Sequence, residues 1–211
     1  MSMEKFTVLR AVAAPLLLPN VDTDRIIRIE RCAGVPRERQ GEYMLEAMRF
    51  HADRSENADC IFNKAGYREA KILLAGENFG CGSSRENAVW ALAGWGLRCV
   101  IAPSFGDIFF GNCFQNGLLP IRLPLATVER LAAAAGANAH SAVLEVDLER
   151  QQITTAAGEH IAFEVEPLRR RMLLEGQDEI GITLQREADI AAFQARDRLA
   201  RPWIYDDAGV A

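Results

Sequence analysis

The sequence predicts a mixed α/β layer fold with an antiparallel appendage and a helical C-terminal end. Three observations carry that prediction. Two short apolar runs, residues 71–75 (KILLA) and 98–102 (RCVIA), flank a stretch of helical periodicity, a strand–helix–strand unit that favours parallel pairing. Residues 142–166 alternate apolar and polar in two stretches around a polar turn, the pattern of antiparallel strands. Residues 167–175 and 185–200 then read as helices.

In chain order, residues 6–18 (FTVLRAVAAPLLL) predict an opening strand. Residues 30–70 are the least regular stretch, with Gly34, Pro36, Gly41 and Gly66 and many charges between short apolar pieces. A long polar connection of this kind inside a compact chain is either functional or mobile. After the strand at 71–75 comes a turn-rich loop over 76–82. A helix follows over 84–95, with Ala88, Val89, Leu92 and Trp95 on one side. Beyond the strand at 98–102, a helix is predicted over about 104–115 and a strand over 118–123. An alanine-rich helix over 125–135 is expected to stop at Gly136. Residues 1–211 are read as one domain, with 167–211 as its mainly helical extension.

Composition narrows the function. The chain has 211 residues, 24 basic and 29 acidic, a formal charge of −5, and 49% apolar residues. A chain this size buries roughly 70% of its unfolded surface, so neither disulfides nor a metal are needed for folding. No apolar run approaches the roughly 20 residues of a membrane span. The N-terminus lacks the basic start and long apolar stretch of a signal peptide, so no membrane partner is expected. The acidic balance, with three tyrosines and three tryptophans, argues against a nucleic-acid partner. Cys32, Cys60, Cys81, Cys99 and Cys113 form an odd set without a CxxC pair. They read as reduced thiols in a cytoplasm rather than a zinc or iron–sulfur site. His51, His140 and His160 are scattered, so no metal ligands and no cofactor of this chain's own are expected.

The chemistry concentrates in residues 76–87, Gly-Glu-Asn-Phe-Gly-Cys-Gly-Ser-Ser-Arg-Glu-Asn, between a strand and a helix. Free backbone N–H groups and the helix dipole favour an anion there. A dinucleotide fingerprint would need a third glycine where Arg85 stands, a P-loop needs a lysine, and a nucleophile elbow needs Gly-x-Ser-x-Gly; all three fail. What remains is two hydroxyls, Ser83 and Ser84, beside the Arg85 guanidinium, which grips carboxylates through paired hydrogen bonds. A small di- or tricarboxylate suits this loop better than a nucleotide. The competing reading is a capping box, with Ser83 as the cap and Glu86 bonding back. Against it stand three glycines ahead of the cap and a first-turn arginine, which opposes the dipole by roughly 0.3–1 kcal/mol unless an anion compensates.

A second cluster, Asn20-Val21-Asp22-Thr23-Asp24, invites a calcium-loop reading. It fails because Arg25 and Arg31 occupy the required glycine and glutamate positions. A turn or helix cap explains the cluster equally well.

NVDTDRII, then ENFGCGSSRE, VIAPSFGDIFFGN and NGLLPIRL together resemble the small subunits of bacterial 3-isopropylmalate dehydratase, in the aconitase superfamily. VLEVDLERQQI and LRRRMLLEGQDEIGITLQ extend the resemblance over approximately residues 4–200. It implies the swivelling β/β/α domain of that superfamily and a hydro-lyase that interconverts 2- and 3-isopropylmalate in leucine biosynthesis. It also implies a heterodimer with a separate large subunit, which carries a [4Fe–4S] cluster. By position, Ser83 resembles the catalytic serine that as an alkoxide takes a proton from the carbon next to a carboxylate. Ser84 and Arg85 resemble carboxylate-binding groups, with Gly82 letting substrate approach the backbone, and Thr23 and Asp24 resemble positioning residues on the floor of the site. Cys81 is not expected to ligate a cluster.

Three departures concern substrate rather than reaction. Arg28 stands where the family has proline after DTD-x-I-I. Residues 29–40, which resemble the region touching the substrate's side group, are richly charged, and 46–50 lack the family's tryptophan before Arg-Phe. A related hydro-lyase acting on methylmalate or dimethylmalate, and a non-catalytic dicarboxylate-binding module, are the alternatives. Arg169, Arg170 and Arg171 read either as a solvated helix face neutralised by nearby glutamates or as a docking patch for the large subunit.

Overall fold

The computed structural model describes residues 3–82, 85–138 and 142–205. Its centre is a seven-stranded sheet of β1 (Val8–Leu16), β2 (Ile72–Ala75), β3 (Cys99–Ala102), β4 (Leu119–Arg122), β5 (Val143–Asp147), β6 (Gln152–Thr155) and β7 (His160–Ala162). The spatial order is β4-β3-β2-β1-β5-β6-β7. Strands β1 to β4 run parallel, and β5, β6 and β7 continue the sheet antiparallel. The central runs β2 and β3 are buried at every residue, as expected of parallel strands covered on both faces.

Strand β1 joins the two halves and divides its hydrogen bonds between them. Val8 to Val12 pair with β5, whereas Ala13 to Leu16 pair with β2. Its second half supplies the fully buried Ala13 and Ala14.

The irregular stretch after β1 contains short helices: α1 (Thr23–Ile26), α2 (Ile29–Gly34), a 3-10 segment (Arg37–Tyr43) and α3 (Glu46–Arg49). Then come α4 (Glu86–Trp95), α5 (Asp107–Gln115) and α6 (Leu125–Ala137) between strands, and α7 (Pro167–Glu175), α8 (Glu179–Leu184) and α9 (Glu187–Ala200) at the end. Helix α4 buries Ala88, Val89, Ala91 and Leu92 and packs against the 3-10 segment and α5. Helix α6 packs over β1, β2 and β3, where the Tyr67 hydroxyl donates to Ala135 O at 2.5 Å.

Three expectations need correction, and one open alternative is decided. The α6 helix runs through Gly136 to Ala137, with Asn138 as its C-cap, because Val128, Leu131, Ala132 and Ala135 hold a continuous buried stripe to its last turn. Residues 142–166 form three strands, not two: a second turn at 156–159 is closed by Thr155 Oγ1 accepting from Glu159 N–H at 3.1 Å. Helix α8 stands between the two predicted C-terminal helices, where none is expected; Asp178 caps it by accepting from Gly181 N–H at 2.7 Å. The three arginines of α7 are engaged within the chain. Arg169 pairs with Glu166 and stacks on Phe114, Arg170 donates to Glu149 O, and Arg171 pairs with Glu175. They fasten α7, which favours the neutralised-face reading.

Candidate active site

The loops at 17–22, 76–82 and 103–106 leave the C-terminal ends of the adjacent parallel strands β1, β2 and β3. Ligands of open α/β sheets bind at such edges. These loops are laced together by backbone bonds: Gly80 N–H to Val21 O at 2.7 Å, Thr23 N–H to Cys81 O at 3.0 Å, and Gly106 N–H to Phe79 O at 2.9 Å. Asn20 and Asn78 both take left-handed backbone angles, which asparagine tolerates, and Asn78 Nδ2 donates to Asn20 Oδ1 at 2.8 Å. Ser104 Oγ accepts from Asn78 N–H at 2.8 Å. The Asn20–Asn78 link and Ser104 escape a reading of the sequence; paired asparagines at two strand ends are the signal that points to them.

Asp22 is the N-cap of α1, accepting from Arg25 N–H at 2.8 Å. That settles its part of the cluster as a cap. The cap turns Thr23 inward, where it is buried, and leaves Asp24 on the outer side of the turn. Asp24 forms an ion pair with Arg85, which stands at the N-cap of α4. The Arg85 side chain is 20% exposed and that of Asp24 54%. The Asp24 carboxylate holds the guanidinium charged by raising its pKa further. A cation at the mouth of a helix needs an anion to offset it, and Asp24 supplies one from within the chain.

The capping-box alternative fails on position. The cap of α4 is Arg85, so Glu86 is the first helical residue, and its Oε1 accepts from Asn116 Nδ2 at 2.8 Å. Ser83 and Ser84 lie outside the described residues. Gly82, immediately before them, has φ +93° and faces Asp22 and Thr23; a Cβ there would meet Asp22 Cβ at 3.4 Å. Thus the structure brings Thr23, Asp24, Gly82 and Arg85 together at one edge.

Close to this edge runs α2. Its half-buried Cys32 thiol lies within electrostatic reach of Arg85 and Asp24, and burial raises its pKa. Beyond α2 opens a cleft of about 590 Å³ lined by Arg28, Arg31, Tyr43, Glu46, His51 and Arg54 among others. Arg31 pairs with both oxygens of Glu46, at 3.0 and 2.7 Å, and stacks on the Tyr43 ring at 4.3 Å. Cys99 and Cys113 are fully buried, and burial pushes both thiols up in pKa. Among the described residues no group of three His, Cys, Asp or Glu side chains could hold a metal ion, and no helix is long and apolar enough to cross a membrane.

The model of the aconitase C-terminal domain matches residues 3–126, and LeuD_N matches 129–167. The model of the C-terminal domain of the 3-isopropylmalate dehydratase small subunit matches 179–207. The 3-isopropylmalate dehydratase small subunit of Rhodospirillum centenum is 54% identical over 95% of this chain and 98% of its own length. The chain belongs to the 3-isopropylmalate dehydratase small-subunit family. The small subunit of Paramagnetospirillum magneticum is 52% identical over 96% of this chain and all of its own length. A crystal structure of a Methanocaldococcus jannaschii 3-isopropylmalate dehydratase protein superposes with a TM-score of 0.65, at 25% identity, over 88% of this chain and 98% of that one. Membership of this family fixes the fold as the aconitase-type swivelling domain, here with added antiparallel strands and C-terminal helices.

Proposed function

We propose that this chain is the small subunit of a 3-isopropylmalate dehydratase, active with a large subunit that carries the [4Fe–4S] cluster. The observation that carries the reading is the Arg85–Asp24 pair at the mouth of α4, in a family whose curated relatives bear that activity. The cluster is assigned to the partner because the family resemblance implies it, and the five cysteines of this chain include no CxxC pair. Residues 1–211 act as one swivelling unit with 167–211 as its extension, in the reducing cytoplasm that the five free cysteines suit.

Arg85 grips one carboxylate of the malate. Its planar fork has five donors, so it can bind substrate while keeping Asp24. Ser83 and Ser84 immediately precede it in the sequence and take the catalytic and carboxylate-binding roles that the resemblance implies. Ser83, as the alkoxide, removes the proton from the carbon bearing that carboxylate as the hydroxyl leaves the neighbouring carbon. Water then returns in the opposite sense, its hydroxyl to the first carbon and the proton to the second. A serine ionises only with strong local stabilisation, to which the N–H groups at the α4 N-terminus contribute most and the Arg85 guanidinium, its charge shared with Asp24, contributes less. Gly82, without a side chain, leaves space beside Thr23 for the substrate to approach.

A second reading, a hydro-lyase for methylmalate or dimethylmalate, draws on the charged cleft around Arg31 and Glu46, since an isopropyl group wants apolar contacts. Anaerobic reconstitution with the large subunit separates the two. Preferred turnover of isopropylmalate, abolished by Ser83→Ala, supports the first reading. Preference for a smaller malate supports the second, and absence of turnover with any malate sinks both.

A further inference from the structure

Gln40 is 1% exposed and plays no part in the chemistry above. Its Nε2 donates to Val35 O at 3.1 Å, just past the end of α2. Its Oε1 accepts from Asn87 Nδ2 at 3.2 Å, and Asn87 is the second residue of α4. One buried carboxamide thus spans from the helix that carries Cys32 to the turn that follows Arg85. Neighbouring contacts keep its backbone in place. Gly41 lies so close to Gly94 that a Cβ on Gly94 would sit 3.0 Å from Gly41 N. Arg37 Nη2 donates to Asn116 Oδ1 at 2.8 Å, and Asn116 in turn donates to Glu86. The 3-10 segment is therefore fixed to α4 at both ends, and the buried Gln40 amide ties it back to the end of α2, in addition to the Arg31–Tyr43 stack nearer the surface.

We propose that Gln40 is a positioning residue for side-group selection: through Val35 O and Asn87 it sets the separation between α2 and Arg85. A buried amide left unpaired at either end is penalised, so the separation is held firmly. Once Arg85 has fixed the carboxylate, that separation sets the space left for the branch of the malate. Shifts of about 1 Å in such supports change rates by orders of magnitude. The inference rests on the hydro-lyase reading above.

The test compares kcat and KM for 2-isopropylmalate and 2-methylmalate in the enzyme reconstituted from both subunits. Gln40→Leu preserves approximate volume and removes both hydrogen bonds. The expected result is a change of about tenfold in the ratio of kcat/KM between the two malates, carried mainly by KM. Leu144→Ala, a core lesion in β5 remote from the site, lowers the melting temperature and leaves the ratio unchanged. A ratio within twofold of wild type in Gln40→Leu overturns the proposal. If that variant does not fold, Asn87→Ala removes the α4 partner alone and is read in the same way. A wild-type enzyme that turns over neither malate overturns the hydro-lyase reading, and the role of Gln40 falls with it. Wild-type turnover with an unmoved ratio overturns the Gln40 proposal only.

Discussion

Gly80 is packed against the ring of Phe109, so close that a Cβ at Gly80 would overlap the ring atoms. Its φ of +72° adds a second bar to any side chain. Gly80→Ala therefore combines left-handed strain of roughly 1–2 kcal/mol with displacement of a buried ring, about 1–3 kcal/mol more. For a chain of this length the melting temperature falls by on the order of 5–15 °C. Gly82→Ala carries only the strain, since its nearest neighbour would be at 3.4 Å. Scanning calorimetry of both variants should rank Gly80→Ala as clearly the more damaging.

Asp24→Asn keeps the shape of the Asp24–Arg85 contact and removes its charge. The pair is partly solvated, so stability changes by less than about 1 kcal/mol. Aim of the guanidinium is another matter. A hydrogen bond to a charged group is worth about 1.5–3 kcal/mol, so kcat/KM of the reconstituted enzyme falls roughly 10- to 100-fold. Equal activity in the two proteins would show that Asp24 does not orient Arg85.

Arg49 is a buried cation seated 4.0 Å from the Trp95 ring centroid, in the last turn of α4. It donates to Glu42 O and Met44 O at 3.3 and 3.2 Å. Burial lowers its pKa. Arg49→Ala removes a desolvated cation–π contact and two acceptors' partner together, an expected loss of about 2–4 kcal/mol. Urea denaturation gives the number directly.

The thiols of Cys99 and Cys113 are held neutral by burial, with folded pKa values above the unfolded value near 8.5. Above that pH the unfolded chain releases protons that the folded chain keeps. Stability is therefore lost as pH rises, with a slope approaching about 1.4 kcal/mol per pH unit for each thiol. Melting temperatures at pH 8 and pH 10 should show the fall. Cys113→Ala lowers the value at pH 8 and makes the decline shallower.

Gly111, inside α5, has a negative φ, and a methyl group added there would meet nothing within 4 Å. Gly111→Ala should raise stability by about 0.5–1 kcal/mol, measured by the same denaturation. A decrease would mean that α5 needs the flexibility of glycine there.

The parallel half of the sheet was legible because its strands are short runs with no polar interruption, KILLA and RCVIA, which leave little choice of environment. The anion-binding character of residues 76–87 was legible too, from glycines and an arginine at a strand-to-helix turn. What partners Arg85 was not. Asp24 is 61 positions earlier, and the pairing depends on β1 lying beside β2. The extent of α6 was hidden for a related reason, since its buried stripe against the sheet overrides a glycine that local propensity treats as a stop. Gln40 and Asn87 look like ordinary polar residues in a charged stretch; only the packing of the 3-10 segment on α4 gives them meaning.

The divided pairing of β1 has a consequence for synthesis. The strand is the first to leave the ribosome, and its second half gains a partner once residues 72–75 have emerged. Its first half stays without one until residues 143–147 follow. At roughly 5–20 residues per second the nascent chain spends several seconds with half a strand edge exposed. The loop bearing Asp24 hangs from the end that is satisfied early, so the binding edge can take shape before the sheet is closed.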